Sequence, residues 1–155
     1  MQRSACAVIA LFGVTGCASV MNETSHPMKI ETRTIAGDTI TGADCKLTND
    51  YGSSSARSGE TTQVRRSSKD LDIVCTAPDN PNATARAISR ANGGMFGNIL
   101  IGGGIGAVID HNKGTAYTYP TWVQLVFGRT LVFDRGAEKE GQPAPGVAPA
   151  ATAAK

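Results

Sequence analysis

The chain has 155 residues, 18 % of them charged and 5 % aromatic, and a formal net charge of +2. That length suits one domain with short appendages. Beyond Arg65-Arg66 the sequence has no dense basic run, which excludes the clustered electrostatic footprint of a nucleic-acid-binding protein.

Arg3 supplies a short positive region, and Ala5 to Val14 is an apolar stretch of signal-peptide length, too short to cross a bilayer. It ends in Val14-Thr15-Gly16-Cys17, which resembles the bacterial lipobox. The resemblance implies a signal peptide over residues 1–16, cleavage before Cys17, and acylation of the Cys17 sulfur and amine. Each buried CH₂ of such chains contributes about 0.8 kcal/mol, so several chains on one residue give a stable membrane anchor. Ala18 and Ser19 follow, without an Asp to favour inner-membrane retention, so the expected location is the periplasmic face of the outer membrane. Cys6 leaves with the signal peptide. Cys45 and Cys75 remain as an even pair in an oxidising compartment, and a disulfide between them is expected. A metal site is the weaker reading, because neither cysteine has a neighbouring His or CxxC spacing.

Residues 17–27 are polar and small and read as a lipidated tether. Residues 28–134 read as a β-domain. Met28 to Ile35 alternates with period two, as a half-buried strand does, and Gly37-Asp38 marks a turn. Thr41 to Leu47 is the next predicted strand, followed by a loop over Asn49 to Ser53. Further strands are predicted at Thr61 to Arg66, Leu71 to Ala77 and Ala83 to Ser89, the last two separated by the proline-bearing tract Pro78 to Asn82. Trp122 to Phe127 and Thr130 to Phe133 are expected to pair as a hairpin across Gly128-Arg129. Short strands between turn signals point to a mainly β fold, a small antiparallel β-sandwich. Residues 135–155 are rich in Gly, Pro and Ala and are expected to be disordered. The terminal Lys155 leaves a peptidoglycan-linked tether as an alternative function.

Between the strands lies Gly93 to Pro120, glycine-rich and uncharged from Met95 to Ile109. Gly102 to Ala107 fits G-x-G-x-x-A, yet the following helix would break at Asn112-Lys113-Gly114, and no acidic residue lies about 20 positions on to take a ribose hydroxyl. No Gly-Lys-Ser/Thr occurs either, so a nucleotide site is set aside and no cofactor is expected. As a helix, Met95 to Ile109 would reach about 22 Å, short of a hydrocarbon core of about 30 Å. Gly93 and Gly97, and Gly102 and Gly106, stand four apart, a spacing that lets helices approach closely in shallow membrane contact or self-association. The favoured reading is a packed connector over residues 93–114, helical in character, with glycines where backbone meets backbone.

Asn98-Ile99-Leu100, the glycine run, Gly106 to Asp110, Gly114 to Tyr117 and Tyr119-Pro120 resemble a signature of small proteobacterial lipoproteins of unknown function. In those proteins it follows a β-domain similar to the PEGA or carboxypeptidase-regulatory type. Gly42 to Gly52 and Leu71 to Cys75 are similar to that β-domain, so the resemblance spans roughly Thr41 to Gly128. It departs at Asn112 to Thr115, where Thr-Gly is inverted to Gly-Thr. It implies no catalytic residues.

The mature histidines are His26, in the tether, and His111, beside Asp110 at a polar turn. No spacing brings an acid, a base and a nucleophile together. Two functions are therefore carried forward. One is a non-catalytic, lipid-anchored envelope module that holds a partner protein or peptidoglycan. The other is a hydrolase or metal-dependent enzyme built on Asp110 and His111.

Overall fold

The computed structural model describes residues 24–91 and 115–150. The expected signal peptide, Cys17, most of the tether, the connector with Gly93, Gly97, Gly102 and Gly106, the pair Asp110 and His111, and Lys155 lie outside the described residues.

The described chain is mainly β. Its strands are β1 (Ser25–Arg33), β2 (Thr39–Ile40), β3 (Asp44–Asn49), β4 (Gly52–Arg57), β5 (Thr61–Arg65), β6 (Leu71–Thr76), β7 (Ala83–Ile88), β8 (Arg90–Ala91), β9 (Tyr117–Thr118), β10 (Trp122–Val126), β11 (Thr130–Asp134) and β12 (Gly146–Val147). A first sheet is centred on β1, which pairs with β5 along its first half, with β2 near its end, and with β10 in parallel. A second sheet has the order β12-β11-β7-β6-β3-β4. Strands β8 and β9 form a separate short pair.

Period-two patterning explains how the sheets share one core. On β1, His26, Met28, Ile30 and Thr32 point inward, and Pro27, Lys29, Glu31 and Arg33 do not. On β6, Leu71, Ile73 and Cys75 are buried while Asp72, Val74 and Thr76 are exposed. Strand β10 contributes Val123 and Leu125, and Phe127 follows. The inward residues of β7 are Ala83, Ala85 and Ala87. Their small size leaves room for the larger Leu125, Phe127 and Phe133 of the same core. Cys45 on β3 and Cys75 on β6 are direct cross-strand partners joined by a disulfide, the pairing expected from the sequence.

Four expectations are corrected. The sheets are not purely antiparallel, because β1 pairs with β10 and β7 with β11 in parallel. The hairpin between β10 and β11 does not form. Gly128, at φ +78°, turns the chain from one sheet to the other, with its N–H donating to the Asn82 carbonyl at 3.1 Å. The tether ends earlier than residue 27, since β1 begins at Ser25 and already buries His26. The segment after residue 134 is structured as far as residue 150 is described. Asp134 caps a short 3₁₀ turn at Arg135–Ala137, Ala144 is buried, and β12 pairs with β11. Gly146 is needed there, because a Cβ would stand 2.8 Å from Phe133 Cε1. Glu138 Oε1 accepts from the backbone N–H of Thr121 at 2.9 Å and of Trp122 at 3.1 Å, fastening this segment to the start of β10.

Candidate functional site

The starts of β1, β4, β6 and β10 and the ends of β3, β5, β7 and β11 gather at one pole of the two sheets. Arg66 links two of the points where the described chain begins, Thr24 and Thr115. Its backbone N–H donates to the Thr24 carbonyl at 2.8 Å, and its Nη1 to the Thr115 carbonyl at 3.5 Å. The β8–β9 pair brings Ala91 opposite Tyr117, so residues 92–114 also start and finish at this pole.

Side-chain hydrogen bonds, to backbone and to other side chains, hold the pole's loops. The Ser67 hydroxyl donates to the Asp50 carboxylate, and the Ser89 hydroxyl donates to the Ser67 carbonyl at 2.6 Å. The Ser89 N–H donates to Asp70 Oδ1 at 3.0 Å. Tyr119, fully buried, donates its hydroxyl to the Lys69 carbonyl at 2.7 Å and accepts from Asn49 Nδ2 at 3.3 Å. Arg90 Nε donates to Asp134 Oδ1 at 3.0 Å, an ion pair that holds the Asp134 carboxyl below its ordinary range. Beside the pole a cleft of about 180 Å³ opens between β4 and β5. Leu47, Val64 and Leu71 floor it, and Asn49, Tyr51 and Arg65 form its rim. The Arg65 guanidinium lies 4.3 Å from the Tyr51 ring centroid, a cation–π contact.

His26 sits beneath this surface, 3 % exposed, its ring centroid 5.8 Å from that of Tyr119. Neither ring nitrogen forms a well-shaped hydrogen bond. Burial first, and then the Arg66 and Arg135 charges, lower its pKa to about 4; a weak backbone interaction at Pro120 and the Glu138 charge oppose this without offsetting it. His26 is therefore neutral when folded and titrates near its ordinary value of 6.5 when unfolded. As pH falls from 6.5 toward 4, the unfolded chain takes the proton first and the fold loses up to about 3 kcal/mol. Above 6.5 the group has no effect. The His26→Phe variant is expected to lose this slope, read as equal urea midpoints near pH 6.5 and near pH 4.5 where the parent chain shows a drop; a parallel drop in both proteins would assign the slope elsewhere. The lowered carboxyls lose their contributions from their ordinary values downward, Glu31 from 4.5, at the foot of this window, and Asp134 from 3.8, below it.

A second polar array crosses the outer face of the first sheet. Lys29 Nζ is 4.1 Å from the Trp122 ring centroid and 2.8 Å from Glu31 Oε1, and Gln124 Nε2 donates to Glu31 Oε2 at 2.9 Å. Lys29, Glu31 and Gln124 satisfy one another, so the array braces the β1–β10 pair. Among the described residues, no three His, Cys, Asp or Glu side chains converge as a metal site.

Of the residues singled out in the sequence, the structure joins Cys45 to Cys75 within the core, away from the polar pole. His26, assigned to the tether, is instead a core residue. The signal was present, since His26, Met28, Ile30 and Thr32 continue one alternation, with Pro27 on the exposed face. No family model, no curated protein and no solved structure matches the chain.

Proposed function

We propose that the protein is a lipid-anchored cell-envelope module, held at the periplasmic face of the outer membrane through Cys17, that works by binding a partner protein or peptidoglycan and not by catalysis. One observation carries the reading. The chain joins the fold at Thr24, only a few residues after the lipobox cysteine, with β1 hydrogen-bonded from Ser25 onward. Seven extended residues reach at most about 25 Å, so an acylated Cys17 would keep the domain close to the lipid. The two sheets around one core are those of a β-sandwich, and the resemblance of Gly42 to Gly52 and Leu71 to Cys75 would make it one of the PEGA or carboxypeptidase-regulatory type. Such a fold offers sheet edges to partners, and β4 is an exposed, polar edge of this kind.

The Cys17→Ala variant tests the anchor. Acyl labelling and sedimentation with outer membranes should both be lost, while the Cys45–Cys75 disulfide still forms. Unchanged fractionation and labelling would sink the proposal.

A further inference from the structure

We infer that β4 is a self-pairing edge: two copies of this chain join antiparallel through β4 about a two-fold axis at Ser55, which makes the second sheet continuous across the dimer. The inference goes beyond the envelope-module reading and holds whether or not the chain is acylated.

The backbone offers the template. β4 ends the second sheet, and β3 pairs with only one of its sides. Ser58 continues that ladder by donating its N–H to the Ala43 carbonyl at 2.9 Å. Bonded positions alternate in an antiparallel pair, so Gly52, Ser54 and Ala56 turn their peptide groups to β3, and Ser53, Ser55 and Arg57 turn theirs to the open side. A row of that kind is ready to pair with another strand. An antiparallel copy centred on Ser55 matches it. Each Ser55 N–H then meets the Ser55 carbonyl of the other copy, and each Arg57 N–H meets the other copy's Ser53 carbonyl.

Nothing on β4 blocks this approach. Edges that are kept apart carry proline, lysine or a bulge. β4 reads Gly52-Ser53-Ser54-Ser55-Ala56-Arg57, and its register with β3 runs unbroken. Side chains as small as Ser53 to Ala56 let two edges close without a clash. The turn from Ser58 to Glu60 of the other copy would then stand over the cleft between β4 and β5.

Charge commits the edge to a second copy. Exposed Arg65 lies at the Tyr51 end, its guanidinium 4.3 Å from that ring's centroid. Exposed Glu60 lies at the other end, where its N–H donates to the Arg57 carbonyl at 3.2 Å. Among the described residues neither side chain has an ion-pair partner. The two-fold axis brings each Arg65 toward the other copy's Glu60, so the same attraction acts twice. The remaining charges do not oppose it. Arg57 is paired with Asp44 and faces Ser53 across the axis, and Asp50 accepts from Ser67. Lys46 is the β3 partner of Ser55. It stays three strand spacings, about 14 Å, from its counterpart, beyond a Debye length of roughly 8 Å.

The test is the association state of the full chain in nonionic detergent, read by sedimentation velocity over a concentration series. A reversible dimer is expected. Ser55→Pro removes an N–H that points away from β3, so the fold should keep its urea midpoint while the dissociation constant rises at least about tenfold. Glu60→Arg should weaken the dimer on the order of tenfold, and Glu60→Arg/Arg65→Glu should restore the parent's value. Ser55→Cys treated with a short bismaleimide should cross-link severalfold faster than Ser68→Cys. A monomer at every concentration overturns the inference and leaves the edge to a different protein. A dimer that a folded Ser55→Pro chain keeps unchanged also overturns it, as does equal cross-linking at residues 55 and 68. If Ser55→Pro does not fold, the charge variants decide: restoration by the double exchange upholds the two-fold pairing, and association no better than that of Glu60→Arg alone ends it.

Discussion

Removing the Cys45–Cys75 disulfide is expected to lower the unfolding free energy by about 3 to 4 kcal/mol, because the bond closes a loop of sequence separation 30 in the denatured chain. This is a large share of the 5 to 15 kcal/mol that typically holds a domain together. Both cysteines are buried, so added reductant reaches the bond only when the fold opens. The comparison therefore needs the chain reduced in denaturant and then refolded under reducing conditions. The urea midpoint should fall, and the dependence on urea should steepen, since the released chain exposes more surface on unfolding. The Cys45→Ala/Cys75→Ala variant should lose slightly more, having also given up two sulfurs from the core. A reduced protein with the oxidised protein's midpoint would show that the bond contributes nothing to the difference between the states.

The second large effect is expected at Tyr119. Tyr119→Ala removes a fully buried ring and should cost about 3 to 5 kcal/mol. Tyr119→Phe keeps the ring but strands the Lys69 carbonyl, while Asn49 Nδ2 keeps its bond to the Arg65 carbonyl at 2.9 Å, a loss of about 1 to 2 kcal/mol. The contrast separates packing from hydrogen bonding, and both variants are read by urea unfolding. If Phe cost as much as Ala, the hydroxyl and not the ring would be holding the 66–70 loop. Burial raises the Tyr119 pKa, so its hydroxyl remains a donor throughout the neutral range.

Much of the β pattern was legible in the residues. Leu71, Ile73 and Cys75 against Asp72, Val74 and Thr76 is an alternation that only one strand face can satisfy. The same holds for Val123 and Leu125 in β10. Strand β4 was not legible, because Gly52-Ser53-Ser54-Ser55 buries almost nothing and is held mainly by backbone pairing with β3. Partner choice was not legible either. Gly128-Arg129 is a turn in both the sequence reading and the structure, but whether the next strand folds back or crosses to the facing sheet depends on distant partners, Thr84 to Ile88. Composition misled after residue 134. Few branched apolar residues occur there, yet Glu138, Ala144 and Gly146 each make a specific contact that average hydrophobicity does not register. At the pole, the cations were visible one by one. Their convergence was not, since Arg66 and Thr115 are neighbours only through the fold.

The parallel pairing of β1 with β10 also governs when the protein can fold. Lys29 to Arg33 finds its partner only at Trp122 to Val126, and β7 likewise waits for β11. Contacts this distant in sequence make for slow folding, because the loop between them must close before they yield any stabilisation. The chain's first strand therefore has a solvent-facing edge until nearly the whole sequence has been made. The core closes only after the C-terminal third has been made.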